Sequence, residues 1–141
     1  MKKLILLTII LCFTISAKSQ TMDLTVTVNN IKSNSGIVKV CVFDKETGFP
    51  NKTNIAMKCV NSTAKKGVMQ IKIEGLVPGK YAIAAHHDEN SDGEFNINFL
   101  GMPKEAAGAS NGAKGKMGPP KFMDAIIMID KNKTQTSITI D

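Results

Sequence analysis

Arginine is absent: the chain's 18 Lys-plus-Arg residues are all lysine. No guanidinium is therefore present to grip phosphate or guanine bidentately. The lysines are scattered, and no aromatic-rich basic stretch accompanies them, so nucleic-acid recognition has little support. A solvated surface is the expected role for these charges. Aromatic residues make up only 5% of the chain. Histidine is confined to His86 and His87. There is no HExxH, no nucleophile elbow, no Ser-His-Asp order and no CxxC, and Gly115-Lys116 lacks the upstream spacing of a phosphate loop. No stretch keeps a helical period over ten or more residues, and no internal repeat occurs.

One long apolar run is present, and it lies at the start. Lys2 and Lys3 precede Leu4 to Ile15, and Ala17 and Ser19 stand at −3 and −1 of a cut before Gln20. Positive end, apolar core and small residues in that order form a secretory signal, so residues 1–19 are read as a cleaved signal peptide. The run is well short of the roughly 20 apolar residues of a spanning helix. No second run follows, so no transmembrane anchor is expected after cleavage. Cys12 sits inside the run behind bulky Leu11, which argues against lipidation. Lys2, Lys3 and Lys18 leave with this segment and no acid does, so the net charge falls from +6 to +3. Residues 20–141 are the size of a single ordinary domain. A periplasmic or secreted location is expected.

Export changes the cysteine arithmetic, because only Cys41 and Cys59 remain. An even pair outside the cytoplasm suits a disulfide. The alternative is two small buried side chains.

The dominant pattern has period two. Leu24, Val26 and Val28 alternate with Thr25, Thr27 and Asn29, which reads as a half-buried strand. Ile37–Phe43 is apolar on both faces except at Lys39 and reads as a central strand. Further strands are expected at Ile55–Val60, Val68–Glu74, Tyr81–His87, Phe122–Ile129 and Thr136–Ile140. Pro78-Gly79 is expected to form a type II turn with positive φ at the glycine. About seven short strands with turns between them indicate an all-β fold, an antiparallel β-sandwich. The rhythm fails between Asp88 and Lys121, a long Gly-rich excursion in which five of the chain's 11 glycines lie between Gly101 and Gly118. Such a loop is either functional or contains a missed element. Within it, Phe95, Ile97 and Phe99 alternate like a short strand, and Lys104–Ala107 suits one helical turn. The small residues of 108–120 offer little for core burial, so something polar or an ion is expected to pin the ends.

The densest polar cluster is His86-His87-Asp88-Glu89-Asn90-Ser91-Asp92-Gly93-Glu94-Phe95-Asn96. Asp88-x-Asn90-x-Asp92-Gly93 places side-chain oxygens at alternate positions before a turn-forming glycine, the arrangement by which a curled backbone surrounds Ca²⁺. Glu94 would add its carbonyl and Asn96 would reach the ion directly or through water. An EF-hand needs a carboxylate at position twelve, and Phe99 stands there, so the missing ligand is sought in Glu105 or Asp124. The competing reading is an Asx-rich turn that caps its own backbone. Adjacent His86 and His87 should point to opposite faces of a strand and cannot share a metal without a bulge.

Several segments follow one another in a recognisable order: Leu76-Val77-Pro78-Gly79-Lys80-Tyr81 leading into His87-Asp88-Glu89-Asn90, then Gly101-Met102-Pro103-Lys104-Glu105, Gly108-Ala109-Ser110-Asn111 and Gly118-Pro119-Pro120-Lys121-Phe122. This order resembles that of an uncharacterised bacterial family, domain of unknown function 2141. The resemblance covers nearly all of the chain after residue 19. It implies a secreted or periplasmic β-sandwich of the prealbumin or carboxypeptidase-regulatory type, with no established activity.

The leading functional expectation is a non-catalytic binding module with a Ca²⁺-stiffened loop, recognising a glycan, an envelope component or a protein. A metal-dependent hydrolase using His86 or His87 with Asp88, and a structural subunit of an envelope complex, are the alternatives. Export itself is directly testable. Mass spectrometry of protein from the cell envelope should find an N-terminus at or near Gln20, and intact Met1 in the cytosolic fraction would overturn the assignment.

Overall fold

A computed structural model describes residues 20–100 and 103–141; segment 1–19, expected to be a signal peptide and containing Cys12, lies outside the described residues. The strands are β1 (Met22–Ile31), β2 (Ile37–Phe43), β3 (Lys58–Thr63), β4 (Gly67–Leu76), β5 (Gly79–Asp88), β6 (Ala107–Ala109), β7 (Ile126–Ile129) and β8 (Gln135–Thr139), with one helical turn, α1 (Phe122–Ala125). They form a three-stranded sheet ordered β4-β1-β8 and a second sheet ordered β3-β2-β5-β6, in which β7 also pairs with β5. All pairs are antiparallel except β1 with β8, which run parallel with Val26 opposite Thr136.

The alternation in sequence becomes the core. Leu24, Val26 and Val28 of β1, Ile71 and Ile73 of β4 and Ile138 of β8 meet Val38, Val40 and Val42 of β2, Ile83 and Ala85 of β5 and Ile127 and Ile129 of β7. Each fully buried aliphatic side chain contributes about 1.5–3 kcal/mol by leaving water. The other face of the three-stranded sheet carries Thr25, Thr27, Gln70, Lys72 and Glu74, none of them buried. β2 is central, as its two-sided apolarity predicts, and Lys39 is 8% exposed.

Several local expectations are corrected. Gly79 has no positive φ; that conformation falls on Gly75, at 75°. Gly79 instead begins β5, and a Cβ there would touch the Tyr81 ring, 3.4 Å from its hydroxyl. The Tyr81 hydroxyl donates to the Val77 carbonyl at 2.7 Å, a tyrosine corner that ties the turn to the strand after it. The strand expected from Ile55 starts later, at Lys58, because Thr53–Ile55 form a 3-10 turn whose Ile55 and Ala56 N–H groups bond back to Lys52 and Thr53. The segment 122–129 divides into α1 and β7. Phe122 in α1 turns back onto Phe49, which in turn packs on Phe43.

The excursion holds a missed strand, β6, bringing the number to eight among the described residues. The Lys104–Ala107 turn is not helical: the His87 N–H donates to the Ala106 carbonyl at 2.9 Å, and the chain enters β6 extended. Phe95, Ile97 and Phe99 form no strand; Ile97 makes an isolated bridge with Pro103, and Phe99 is 96% exposed.

β6 and β7 share one edge of β5, opposite 84–86 and 79–82 respectively. Ile83 falls in the gap. Its N–H donates to the hydroxyl of buried Ser110, which donates in turn to the Ala125 carbonyl. A buried N–H left unpaired there would cost about 1–3 kcal/mol. The excursion is thus pinned by a polar group.

Cys41 and Cys59 are directly opposed in the β2–β3 ladder and form a disulfide, with a sequence separation of 18. Closing a loop of that size stabilises by about 3 kcal/mol on the chain-entropy estimate. Reduction, or Cys41→Ser with Cys59→Ser, should lower urea-unfolding stability by about that amount. Denatured, unreduced protein should expose no thiol at either position; labelling of both would contradict the bridge.

Candidate functional site

In an antiparallel sheet with one face on the core, the other face ordinarily meets water and carries polar side chains. β5 departs from this. Its core-facing residues are Tyr81, Ile83, Ala85 and His87; the opposite face carries Ala82, His86 and Asp88, all buried, and half-buried Ala84. Ala109 and Ala107 of β6 stand opposite Ala84 and His86 and extend this small-residue floor. Gly108 between them faces inward, where a Cβ would lie 2.3 Å from the Thr139 carbonyl oxygen. The excursion folds back over the floor and leaves a cavity of about 620 Å³, walled by Phe95, Ile97, Pro103, Met117 and Pro120 and reached by Lys114 and Asp141. The Lys114 ammonium and the Asp141 carboxylate pair at 2.7 Å.

His86 is the main polar group of the floor. Its ring meets Phe95 edge-on at 5.5 Å between centroids, and its Nε2 is buried without a hydrogen-bond partner. Burial pushes its pKa down to about 4, helped by the Lys39 ammonium on the neighbouring strand and only partly countered by Asp88 and Asp92. The ring is therefore neutral at pH 7. Lys39, directly across from His86, donates to the Gly93 carbonyl at 3.0 Å and so ties β2 to the polar loop.

His87 lies on the other face, as expected for adjacent strand residues. Its Nε2 is 2.7 Å from the Ser35 carbonyl oxygen, and Nδ1 is 3.5 Å from the Glu89 carboxylate. The two histidines therefore do not converge. The β1–β2 turn presses directly on this point: a Cβ on Gly36, which has φ of 71°, would sit 1.9 Å from the Asp88 carbonyl oxygen.

The loop that follows is curled by its own side chains. Asp88 Oδ2 accepts the Gly93 N–H at 2.9 Å, Asn90 Oδ1 accepts that of Asp92 at 3.2 Å, and Asp92 Oδ1 accepts that of Glu94 at 2.8 Å. Asp92 Oδ2 accepts the side-chain amides of Asn90 and Asn96 at 2.7 and 2.9 Å. The Asn96 amide, the Glu94 N–H and the Asn90 amide hold the Asp92 carboxyl below the usual carboxylate range. Asp88, Asn90, Asp92, Glu94 and Asn96 are thus together, in the Asx-turn geometry. Among the described residues no group of three or more His, Cys, Asp or Glu is arranged to hold a metal ion.

The two outlying candidates separate. Glu105 lines a polar cleft with Glu89, Asn90 and Asn96. Asp124 is in α1, which leads into β7 opposite the Gly79–Ala82 end of β5. At roughly 3.3 Å per residue that end is about 20 Å from Asp88, so Asp124 does not belong with the loop. Lys39 and the alanine floor were not singled out by sequence reasoning. Their signal was the absence of any charge at the outward positions between Tyr81 and His87.

The buried neutral imidazole carries a pH consequence. The folded pKa of His86 lies below its ordinary 6.5, so the unfolded chain binds the proton more tightly. Its contribution is fully present above about pH 6.5 and is lost as pH falls toward 4, by at most about 3 kcal/mol at 1.36 kcal/mol per unit. Unfolding midpoints of the wild type should fall more steeply over that range than those of His86→Gln. Parallel curves would show that His86 titrates normally.

The family model described as an uncharacterised protein conserved in bacteria (DUF2141) matches residues 26–137. No curated protein and no solved structure matches the chain. The matched stretch begins within β1 and ends within β8, and so takes in both sheets, the polar loop and the whole excursion over the alanine floor. By that match the chain belongs to the bacterial DUF2141 family.

Proposed function

We propose that this protein is an exported, non-catalytic binding module whose ligand is a small, largely apolar molecule held between the β5–β6 floor and the excursion. The observation that carries the reading is the cavity of about 620 Å³ on a sheet face that would otherwise be solvated. Its size falls in the range of small-molecule sites, and its chemistry is theirs, with apolar walls and few polar groups. Of the partner classes considered, an apolar envelope component suits such walls better than a glycan, whose hydroxyls would need many hydrogen-bond partners. Export is supported by the signal-like N-terminus and by the disulfide, a bond that persists in oxidising compartments. Among the described residues no helix is long and apolar enough to cross a membrane. The hydrolase reading is disfavoured, because His86 and His87 face apart and Asp88 Oδ2 is engaged by the Gly93 N–H. An assembly subunit is disfavoured by the polar outward face of β1 and β4.

The fluorescent apolar anion 1-anilinonaphthalene-8-sulfonate is a suitable probe, since Lys114 and Lys116 line the same cavity. Folded protein should bind it saturably at one site. Ala84→Leu fills the floor and should weaken binding by roughly ten-fold, about 1.4 kcal/mol, with little change in melting temperature. Non-saturable binding, or binding indifferent to Ala84→Leu, would rule the cavity out.

A further inference from the structure

The polar loop contains a contradiction that hydrogen bonding does not resolve. Asp88 is fully buried, yet only one of its carboxylate oxygens has a partner: Oδ2 accepts the Gly93 N–H, while Oδ1 is buried with none. A second orphan lies close by in the fold. The β5–β6 register sets Ala84 opposite Ala109, Ala85 opposite Gly108 and His86 opposite Ala107, and the His87 N–H to Ala106 carbonyl bond carries it one step further. Glu105 lies in the bend that leads through Ala106 into β6, which brings it to the Asp88 end of β5. Carboxylates gathered at one end of a strand repel each other. Glu105 Oε2 is also buried without a hydrogen-bond partner.

Among the described residues no lysine forms an ion pair with Asp88 or Glu105. Lys32 and Lys104 line the cleft beside Glu105, but Lys32 donates to Asn30. The Lys39 ammonium donates to the Gly93 carbonyl. What the two carboxylates lack is a cation small enough to sit between them. Asn90 and Asn96, which line the cleft of about 430 Å³ with Glu105, offer side-chain oxygens.

We propose that Asp88 and Glu105 are the paired carboxylates of a divalent-cation site completed by the oxygens of the Asn90–Asn96 loop, and that the ion is Ca²⁺. An all-oxygen set drawn from a flexible loop suits Ca²⁺, with its six to eight ligands and variable geometry, better than Mg²⁺ with its demand for a near-ideal octahedron. It offers no nitrogen or sulfur donor that would favour zinc. Glu105 takes the role that Phe99 leaves vacant, supplying from the bend before β6 the carboxylate absent at position twelve. The Asx-turn bonds are compatible with this, because Asp88 gives the turn one oxygen and keeps the other. The site stands apart from the cavity reading, and either can fail without the other.

Calorimetry on chelator-treated, full-length mature protein tests it with CaCl₂ alone as the probe. Saturable binding at a single site is expected, with a dissociation constant on the order of 10⁻⁴ to 10⁻³ M, as in extracellular modules. Glu105→Gln should weaken Ca²⁺ by roughly ten-fold or more. In the ion-free protein the same substitution removes the opposing charge, so its melting temperature should equal or exceed that of the wild type. This opposite response with and without calcium separates a ligand from a residue that only supports the fold. Asn90→Ala, on the exposed part of the loop, should also weaken binding. Absence of heat and of any melting shift at 10 mM (about ten times the upper dissociation constant) would overturn the site. So would calcium binding that Glu105→Gln leaves unchanged.

Discussion

A single hydroxyl joins the parts of this molecule that would otherwise come apart. β5 has no continuous neighbour along its outer edge; β7 covers one end, β6 the other, and Ser110 occupies the break, accepting from Ile83 and donating to Ala125. The segment between those two short strands is rich in glycine and alanine and has little apolar area with which to hold itself down. Because Ser110 is fully buried, water cannot substitute easily for either bond, and both ends of that segment are fixed to one point of the sheet. The cavity walls and the fold-back of α1 both depend on that point.

From this joint the two faces of β5 acquire different tasks. The core face is conventional, a row of Tyr81, Ile83 and Ala85 against the aliphatic residues of the other sheet. The opposite face is built of small residues ending in His86 and Asp88, and it is covered instead of solvated. Lys39 spans the two polar features there: it opposes His86 and helps keep that ring neutral, while its ammonium closes on the loop at Gly93. The polar loop and the cavity wall are therefore mechanically continuous through Phe95, which packs on His86 just beyond the loop's last turn. His87, clamped on Ser35, holds the loop from the other side.

Much of this was legible in the chain. Period-two alternation located most of the strands because each has one face on the core, and Ile37–Phe43 was recognisably central because both its faces are apolar. Counting, once residues 1–19 were set aside, made a Cys41–Cys59 disulfide one of two readings, and the β2–β3 register decides for it. What escaped was whatever depends on partners distant in sequence. β6 has only Ala, Gly and Ala to announce it, and its identity as a strand comes from the edge of β5 that it fills. Ile55–Met57 are apolar enough for a strand, but the 3-10 turn that closes the β2–β3 loop claims them first. The alternation of Phe95, Ile97 and Phe99 was misleading because Phe99 points to solvent. At the site, the Asp88–Asn96 cluster was visible as a cluster. Which end of β5 Glu105 and Asp124 each lie nearer is a property of register, not of composition.

The parallel pairing of β1 with β8 also constrains how the chain can assemble. Residues near the start of the domain, Thr25 to Asn29, lie beside Gln135 to Thr139, so the pairing closes a loop of almost the entire described chain. Non-local closures of this kind are slow to form, since chain entropy is lost before the contact is made. A ribosome or translocation channel delivers β1 first, and until Ile138 and Ile140 arrive the inner side of Leu24, Val26 and Val28 has only part of its cover. The β1–β4 pair must then persist as a half-built sheet with an open edge, a state prone to pairing with other chains. Synthesis has to run through β8 before the three-stranded sheet exists at all.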